Sequence, residues 1–232
     1  MKITFVIPTL NEEEGIGITI DSINADELKK RGWEYEILII DGNSEDRTRE
    51  IAEQKGARVI IEPRKGYGRA YKTGLAMAGG DIIVTGDADG TYPFDRVHEY
   101  IELLLEENLD FITTNRFAEL KHGAMSFKHF IGNFILSFTL RLLYGIKIKD
   151  SQSGMWIMRR DALKKIKPLE AFDDGMPFSE EIKIEMFRNK KIKAKEIPSS
   201  SCLYKRKGVA KIQSWKDGWR NLKFLILYRV KS

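Results

Sequence analysis

An alternation constrains this chain more than any other feature. Short apolar runs rich in Ile and Val, at residues 3–8, 35–40 and 58–61, are each followed by an amphipathic stretch of helical length, at 13–30, 45–55 and 68–78. Alternation of this kind closes as right-handed βαβ units on a parallel sheet. Residues 82–85 supply a fourth strand with its helix at 94–107, and residues 111–114 a fifth. The run 36–40 is apolar enough to lie between two helical layers. The second half predicts a helix at 125–144, a polar turn at 150–154 and a strand at 155–159. A helix at 179–187, a strand at 194–197, a basic loop at 204–208 and an amphipathic C-terminal helix at about 212–230 follow. The expected fold class is therefore α/β, a mostly parallel central sheet flanked by helices. No repeat, low-complexity tract or linker divides the 232 residues, so one domain is expected, with its halves meeting near residue 116.

The composition, 42% hydrophobic and 31% charged, is that of a chain able to bury a core. A lone cysteine, Cys202, excludes an internal disulfide framework. The N-terminal apolar run is broken by Pro8 and then by Glu12, Glu13 and Glu14, which is not the shape of a signal peptide. A cytoplasmic location is expected. Residues 127–144 come closest to a spanning segment, but Lys128, His129 and Arg141 interrupt them. Net charge is +5, and residues 188–232 hold 14 Lys or Arg against two acids. A basic tail on a mildly acidic body suggests an anionic partner.

In open α/β sheets functional groups gather at the carboxyl ends of strands, and four polar clusters fall there: Pro8-Thr9-Leu10-Asn11-Glu12, Asp41-Gly42-Asn43-Ser44, Asp87-Ala88-Asp89 and Asn115-Arg116. Asp87 and Asp89, two residues apart at a strand end, can share a hard divalent cation that also takes diphosphate oxygens. Without that context the same pair would suit a solvated turn. Asp41 can accept from a nucleotide base N–H; the alternative is a cap for the helix near Glu45. In Lys65-Gly66-Tyr67-Gly68-Arg69 the glycines permit close approach of backbone to a ligand, and Lys65 and Arg69 can neutralise phosphate near a helix N-terminus. The competing reading is a glycine turn with solvated charges. His98, His122 and His129 show no metal-ligand spacing.

The ordered set 7–12, 41–48, 65–68, 87–90, 115–116 and Asp150-Ser151-Gln152-Ser153-Gly154 resembles the family-2 glycosyltransferases, and within them the dolichyl-phosphate mannose and dolichyl-phosphate glucose synthases. The resemblance extends from residue 3 to about residue 230. It implies a GT-A (Rossmann-like) fold, a Mg²⁺ or Mn²⁺ cofactor, a UDP-Glc or GDP-Man donor and a polyprenyl or dolichyl phosphate acceptor. By position, Pro8, Thr9, Glu12 and Asp41 would hold base and ribose. Lys65, Gly66, Arg69 and the Asp87-Ala88-Asp89 turn would complete the nucleotide-sugar site, with Asp87 and Asp89 on the metal. Arg116, Lys205 and Arg206 would meet the acceptor phosphate, and Asp89, Arg116 and Asp150 would be the catalytic group. Three positions depart from the family pattern. Gly42 replaces a second acid, Thr91 stands where a glutamine often contacts the metal, and Ala210 replaces the serine of the basic loop.

A phosphate acceptor is an anion at neutral pH and needs little general-base help. That agrees with a motif set offering acids and cations but no serine, cysteine or histidine nucleophile. In the tail, Ile212, Trp215, Trp219 and Leu222 lie among Lys211, Lys216, Arg220 and Lys223, the composition of a helix lying at a membrane surface. Membrane, not nucleic acid, is the expected anionic partner, at the cytoplasmic face. Phe130, Phe134, Phe138 and Leu142, spaced four apart, suit either core packing or a lipid path. Three rival readings stay open: a nucleotidyltransferase, disfavoured by the missing N-terminal glycine-rich loop; a non-catalytic binding module, which leaves the strand-end acids unexplained; and a glycosyltransferase with a soluble acceptor.

Overall fold

The computed structural model describes residues 1–119, 127–199, 206–208 and 214–231. Along strand β1 (Lys2–Thr9) alternate side chains enter opposite cores, as the two-residue period of a strand dictates. Ile3, Phe5 and Ile7 join Ile37 and Ile39 of β2 (Glu34–Asp41) and Ile82 and Val84 of β4 (Ile82–Thr85) on one face. Val6, Leu38, Ile40 and Ile83 point to the other. The first core is covered by α1 (Glu13–Asp21), α2 (Ala25–Lys30), α3 (Thr48–Gln54) and α5 (Val97–Glu106). The second is covered by α4 (Tyr67–Met77) and α7 (Phe178–Arg188).

With β3 (Arg58–Ile61), β5 (Phe111–Asn115), β6 (Trp156–Arg159) and β7 (Ala194–Pro198), the sheet has the order β3-β2-β1-β4-β6-β5-β7. All neighbours are parallel except β6, which runs antiparallel to both β4 and β5. The helix expected over 13–30 is broken in two. Asn24 supplies the break, since its side-chain oxygen accepts from the Glu27 N–H at 3.2 Å and starts α2 afresh.

A third cluster joins α6 (Phe127–Tyr144) and α8 (Ser214–Lys231) to α7 through Leu136, Leu140, Leu225 and Ile184. Because these residues take the core side of α6, the stripe Phe130, Phe134, Phe138 and Leu142 faces outward, and Leu142 is 71% exposed. Of the two alternatives for that stripe, core packing is not what forms. Trp219, Ile226, Leu227 and Val230 of α8 are also exposed. Among the described residues no helix is long and apolar enough to cross a membrane.

Candidate active site

The parallel register of β1 on β2 brings Thr9 beside Asp41, and β4 delivers Asp87 and Asp89 next to them. The strand ends open into a cleft of about 950 Å³. Pro8, Thr9, Glu12, Lys65, Gly66, Asp87, Ala88, Asp89, Arg116 and Arg206 all line it, so most of the expected site residues converge. The acidic turn is pressed against α1 at Gly15, where a Cβ would stand 2.5 Å from the Ala88 carbonyl oxygen.

Asp87 lies between Tyr67, Tyr71, Tyr92 and Gly154 at the cleft floor. Burial among these groups, and then the neighbouring Asp89 charge, push its pKa up to about 7. Asp89 uses Oδ1 to accept from the Thr91 N–H at 3.1 Å and from its hydroxyl at 2.6 Å. Its Oδ2 is taken by Arg206 Nη1, while Arg206 Nη2 reaches Glu12 Oε1 at 3.0 Å.

Across the cleft, Arg116 is fixed by a two-pronged ion pair. Nε donates to Asp150 Oδ2 at 2.7 Å and Nη2 to Oδ1 at 2.9 Å, and the Arg116 backbone N–H adds a third bond at 3.0 Å. Asn133 of α6 donates to Asp150 Oδ1 at 2.9 Å. Burial alone would raise the Asp150 pKa, but the Arg116 charge and these bonds take it down to about 2. For Arg116 burial works against the charge, yet Asp150 more than compensates and the guanidinium stays ionised. Its Nη1 has no partner among the described residues and belongs to a side chain on the cleft wall. Asp150 itself is fully buried behind Arg116; it positions the arginine and does not reach the cleft.

Two expected contacts are placed differently. Asp41 is fully buried beneath the cleft, and its oxygens already accept from Thr9 Oγ1, the Ser44 N–H and Oγ, and Arg49 Nη1. A base N–H would have to displace one of these donors, whose bonds to Asp41 tie the Thr9 and Ser44 loops together. Arg69 turns away from the cleft to pair with Glu170 and, at 2.7 Å, Asp174. The N-terminus of α4 is likewise closed to an anion, because the Gly68 and Arg69 N–H groups donate to the carbonyls of Gly175 and Asp174. Gly66 and Gly68 serve that packing: a Cβ on either would stand 2.1 Å or 2.3 Å from a carbonyl oxygen of residues 173–174. Of this motif only Lys65 presents an exposed cation to the cleft. Lys205, Ala210, Lys211 and Ile212 lie outside the described residues, as do Cys202, His122 and the side chains of His129, Trp215 and Lys216.

The structure gives places to residues for which the motifs supplied no role. Gln152, Asn133 and Asn221 line the cleft, and Gln152 links Glu180 of α7 at 2.7 Å to Asn221 of α8 at 3.1 Å. Glu180 and Lys183 are completely buried below this turn. Burial pushes the Glu180 carboxyl up to about 8 and pulls Lys183 down to about 7. The Lys183 amine donates at 2.6 Å to each of the Ser151 and Ser153 carbonyls, which braces the turn carrying Asp150. The stretch Ser-Glu-Glu-Ile-Lys reads as a solvated helix face, and only the 30-residue reach to that turn explains its burial.

Comparison with known proteins adds an independent line. The family model described as Glycosyl transferase family 2 matches residues 4–167. The chain is 34% identical over 227 residues, 97% of its length, to the low-salt glycan biosynthesis hexosyltransferase Agl6 of Haloferax volcanii, of which it spans 53%. It is 32% identical over 164 residues to the dolichyl-phosphate hexose transferase of the same organism, covering 70% of this chain and 68% of that one. Among solved structures, glucosyl-3-phosphoglycerate synthase from Mycobacterium tuberculosis in complex with uridine-diphosphate superposes with a TM-score of 0.75 at 22% identity, covering 98% of this chain and 79% of that one. A further structure of the same enzyme, in complex with Mn²⁺ and uridine-diphosphate-glucose, superposes at 0.74.

Proposed function

The chain belongs to glycosyl transferase family 2, and on that premise we propose that it moves a hexose, with inversion, from a nucleotide-diphosphate sugar to a polyprenyl or dolichyl phosphate at a membrane surface. The observation that carries the reading is Arg116, clamped by Asp150 on the wall of the cleft that Asp87 and Asp89 also line, with its charge felt at Asp87. Acids on one wall suit a metal-bound diphosphate, and a preorganised arginine on the other suits an incoming phosphate.

Asp87 and Asp89 fit a divalent cation, Mg²⁺ or Mn²⁺. They are hard oxygen donors, and burial together with the neighbouring Asp89 charge disfavours an uncompensated carboxylate at Asp87, which a cation would offset. No group of three or more His, Cys, Asp or Glu among the described residues would hold a metal unaided, so diphosphate oxygens would complete the coordination. When bound, the cation supplies charge neutralisation to the leaving diphosphate. Pro8 and Thr9 shape the nucleoside end of the cleft, Lys65 guards its mouth, and Arg116 orients the acceptor phosphate. That phosphate is already an anion, so alignment and electrostatics, not proton removal, are what the side chains contribute.

A lipid acceptor is supported by the far end of the cleft. Gly132, Asn133 and Leu136 of α6 and Asp217, Gly218 and Asn221 of α8 line it, and the outward faces of both helices carry exposed apolar side chains. With arginines and lysines between them, these faces suit the boundary of an anionic leaflet. The relative named as a dolichyl-phosphate hexose transferase points the same way.

The test is transfer of label from UDP-Glc, GDP-Man or UDP-GlcNAc to a short polyprenyl phosphate with Mg²⁺ or Mn²⁺. Label is expected in solvent-extractable lipid with one of these donors; appearance only in water-soluble products would sink the lipid acceptor. Lys65→Ala is expected to weaken binding of the nucleotide diphosphate about three- to tenfold, an effect that shrinks at high salt. Calorimetric titration at two ionic strengths checks it, and an unchanged Kd places Lys65 off the phosphate path.

A further inference from the structure

Asp89 has one carboxylate oxygen committed to Thr91, by bonds of 3.1 and 2.6 Å from the amide and the hydroxyl. The oxygen left to face a ligand, Oδ2, is the one that Arg206 Nη1 takes. The same guanidinium reaches across to Glu12 Oε1 at 3.0 Å, so a single cationic group bridges acids from the ends of β1 and β4. The backbone holds it there, since the Lys207 N–H donates to the Asp89 carbonyl at 3.0 Å. Asp89 is only 4% exposed as a result.

We infer that Arg206 occupies the seat of the divalent cation in the unliganded chain, so that cation binding and the Arg206 contact exclude one another. This rests on the reading that Asp87 and Asp89 hold the cation. A guanidinium and a divalent ion cannot share Asp89 Oδ2, because both need its lone pairs and they repel each other. Arg206 thus keeps the acidic pair from standing uncompensated before the donor arrives. Once the cation and diphosphate take Asp89, Arg206 is released with its charge unspent and available to a second anion, the acceptor phosphate.

The experiment measures Mn²⁺ binding to the full chain without nucleotide, by the electron paramagnetic resonance signal of free Mn²⁺. Arg206→Gln removes the competitor and is expected to bind Mn²⁺ about tenfold tighter than the unmodified chain. Asp89→Asn is expected to lose binding. If Arg206→Gln binds Mn²⁺ no more tightly while Asp89→Asn loses it, the exclusion is wrong and the metal site stands. If Asp89→Asn binds Mn²⁺ normally, both fall. A second measurement needs no variant: modification of Arg206 by phenylglyoxal, followed by peptide mass mapping, is expected to rise several-fold when Mn²⁺ and UDP are added. No rise overturns the inference.

Discussion

Asp89→Asn is expected to lower the proposed hexosyl transfer by about a thousandfold or more, a loss of roughly 4 kcal/mol of transition-state stabilisation. The substitution is nearly isosteric. The carbonyl oxygen of an amide side chain at position 89 can still accept from the Thr91 N–H and hydroxyl, as Oδ1 of Asp89 does, so the turn is expected to keep its shape. What disappears is the negative charge on Oδ2, and with it the proposed anchor for a cation that would offset the departing diphosphate. Initial rates with labelled nucleotide sugar, alongside circular dichroism to verify folding, make the test; a rate within about tenfold of the unmodified enzyme would remove Asp89 from the mechanism. Asp87→Asn is expected to be equally inactive but no less stable. A carboxyl lifted from 3.8 to about 7 by its surroundings favours the unfolded chain as pH rises across that interval, because the folded state holds the proton more tightly. A neutral amide at position 87 removes that penalty. Activity and stability therefore move apart at Asp87, as expected where a site is built at the expense of the fold.

All seven strands are legible in the sequence: β1, β2 and β4 as apolar runs buried between helical layers, and the edge strands β3 and β7 as shorter, less buried segments next to helices in the alternation. The antiparallel sense of β6 is not. Direction is set by how the chain returns from α6 through the 150–154 turn, and nothing within Trp156–Arg159 encodes it. The split between α1 and α2 does carry a signal, Asn24 followed three residues later by Glu27, but the amphipathic pattern on either side masks it.

At the site, residues that act from strand ends are readable, since topology alone brings residues 8–12, 87–89 and 116 together. Asp41 is occupied largely by near neighbours, Ser44 and Arg49, whereas the placement of Arg69 depends on partners distant in sequence. Arg69 and Lys72 of α4 meet Asp174 about a hundred residues on, and that loop also takes the amides that would have met a phosphate. Glu180 and Lys183 are buried because α7 passes beneath the turn that carries Asp150. The strand-end motifs show where the cleft lies, but which of its charges face into it follows from packing, not from the motif.

Asp150→Asn is expected to destabilise the protein by about 3–5 kcal/mol, the cost of leaving a buried charge without its partner. Asp150 is fully buried and accepts from Arg116 N, Nε and Nη2, from Asn133 Nδ2 and from the Gln152 N–H. An amide can serve those donors with only one oxygen, and its NH₂ group would face further N–H groups. At roughly 2–4 °C per kcal/mol for a chain of this size, the melting temperature should fall by about 10 °C. The pH dependence gives the cause. Asp150 is held at about 2 against an ordinary 3.8, so its contribution is fully present above about pH 4 and is lost as pH falls through about 2, where the folded state finally takes up the proton. The stability gap between the unmodified protein and Asp150→Asn should therefore narrow between about pH 4 and about pH 2, by on the order of 2 kcal/mol. Urea unfolding across that range tests it, and parallel curves would show that the ion pair is not what Asp150 contributes. A double variant, Asp150→Asn with Arg116→Met, separates charge from packing. It should recover part of the lost stability, since the buried guanidinium is gone, yet stay as inactive as Arg116→Met alone, because the group proposed to meet the acceptor phosphate has been removed.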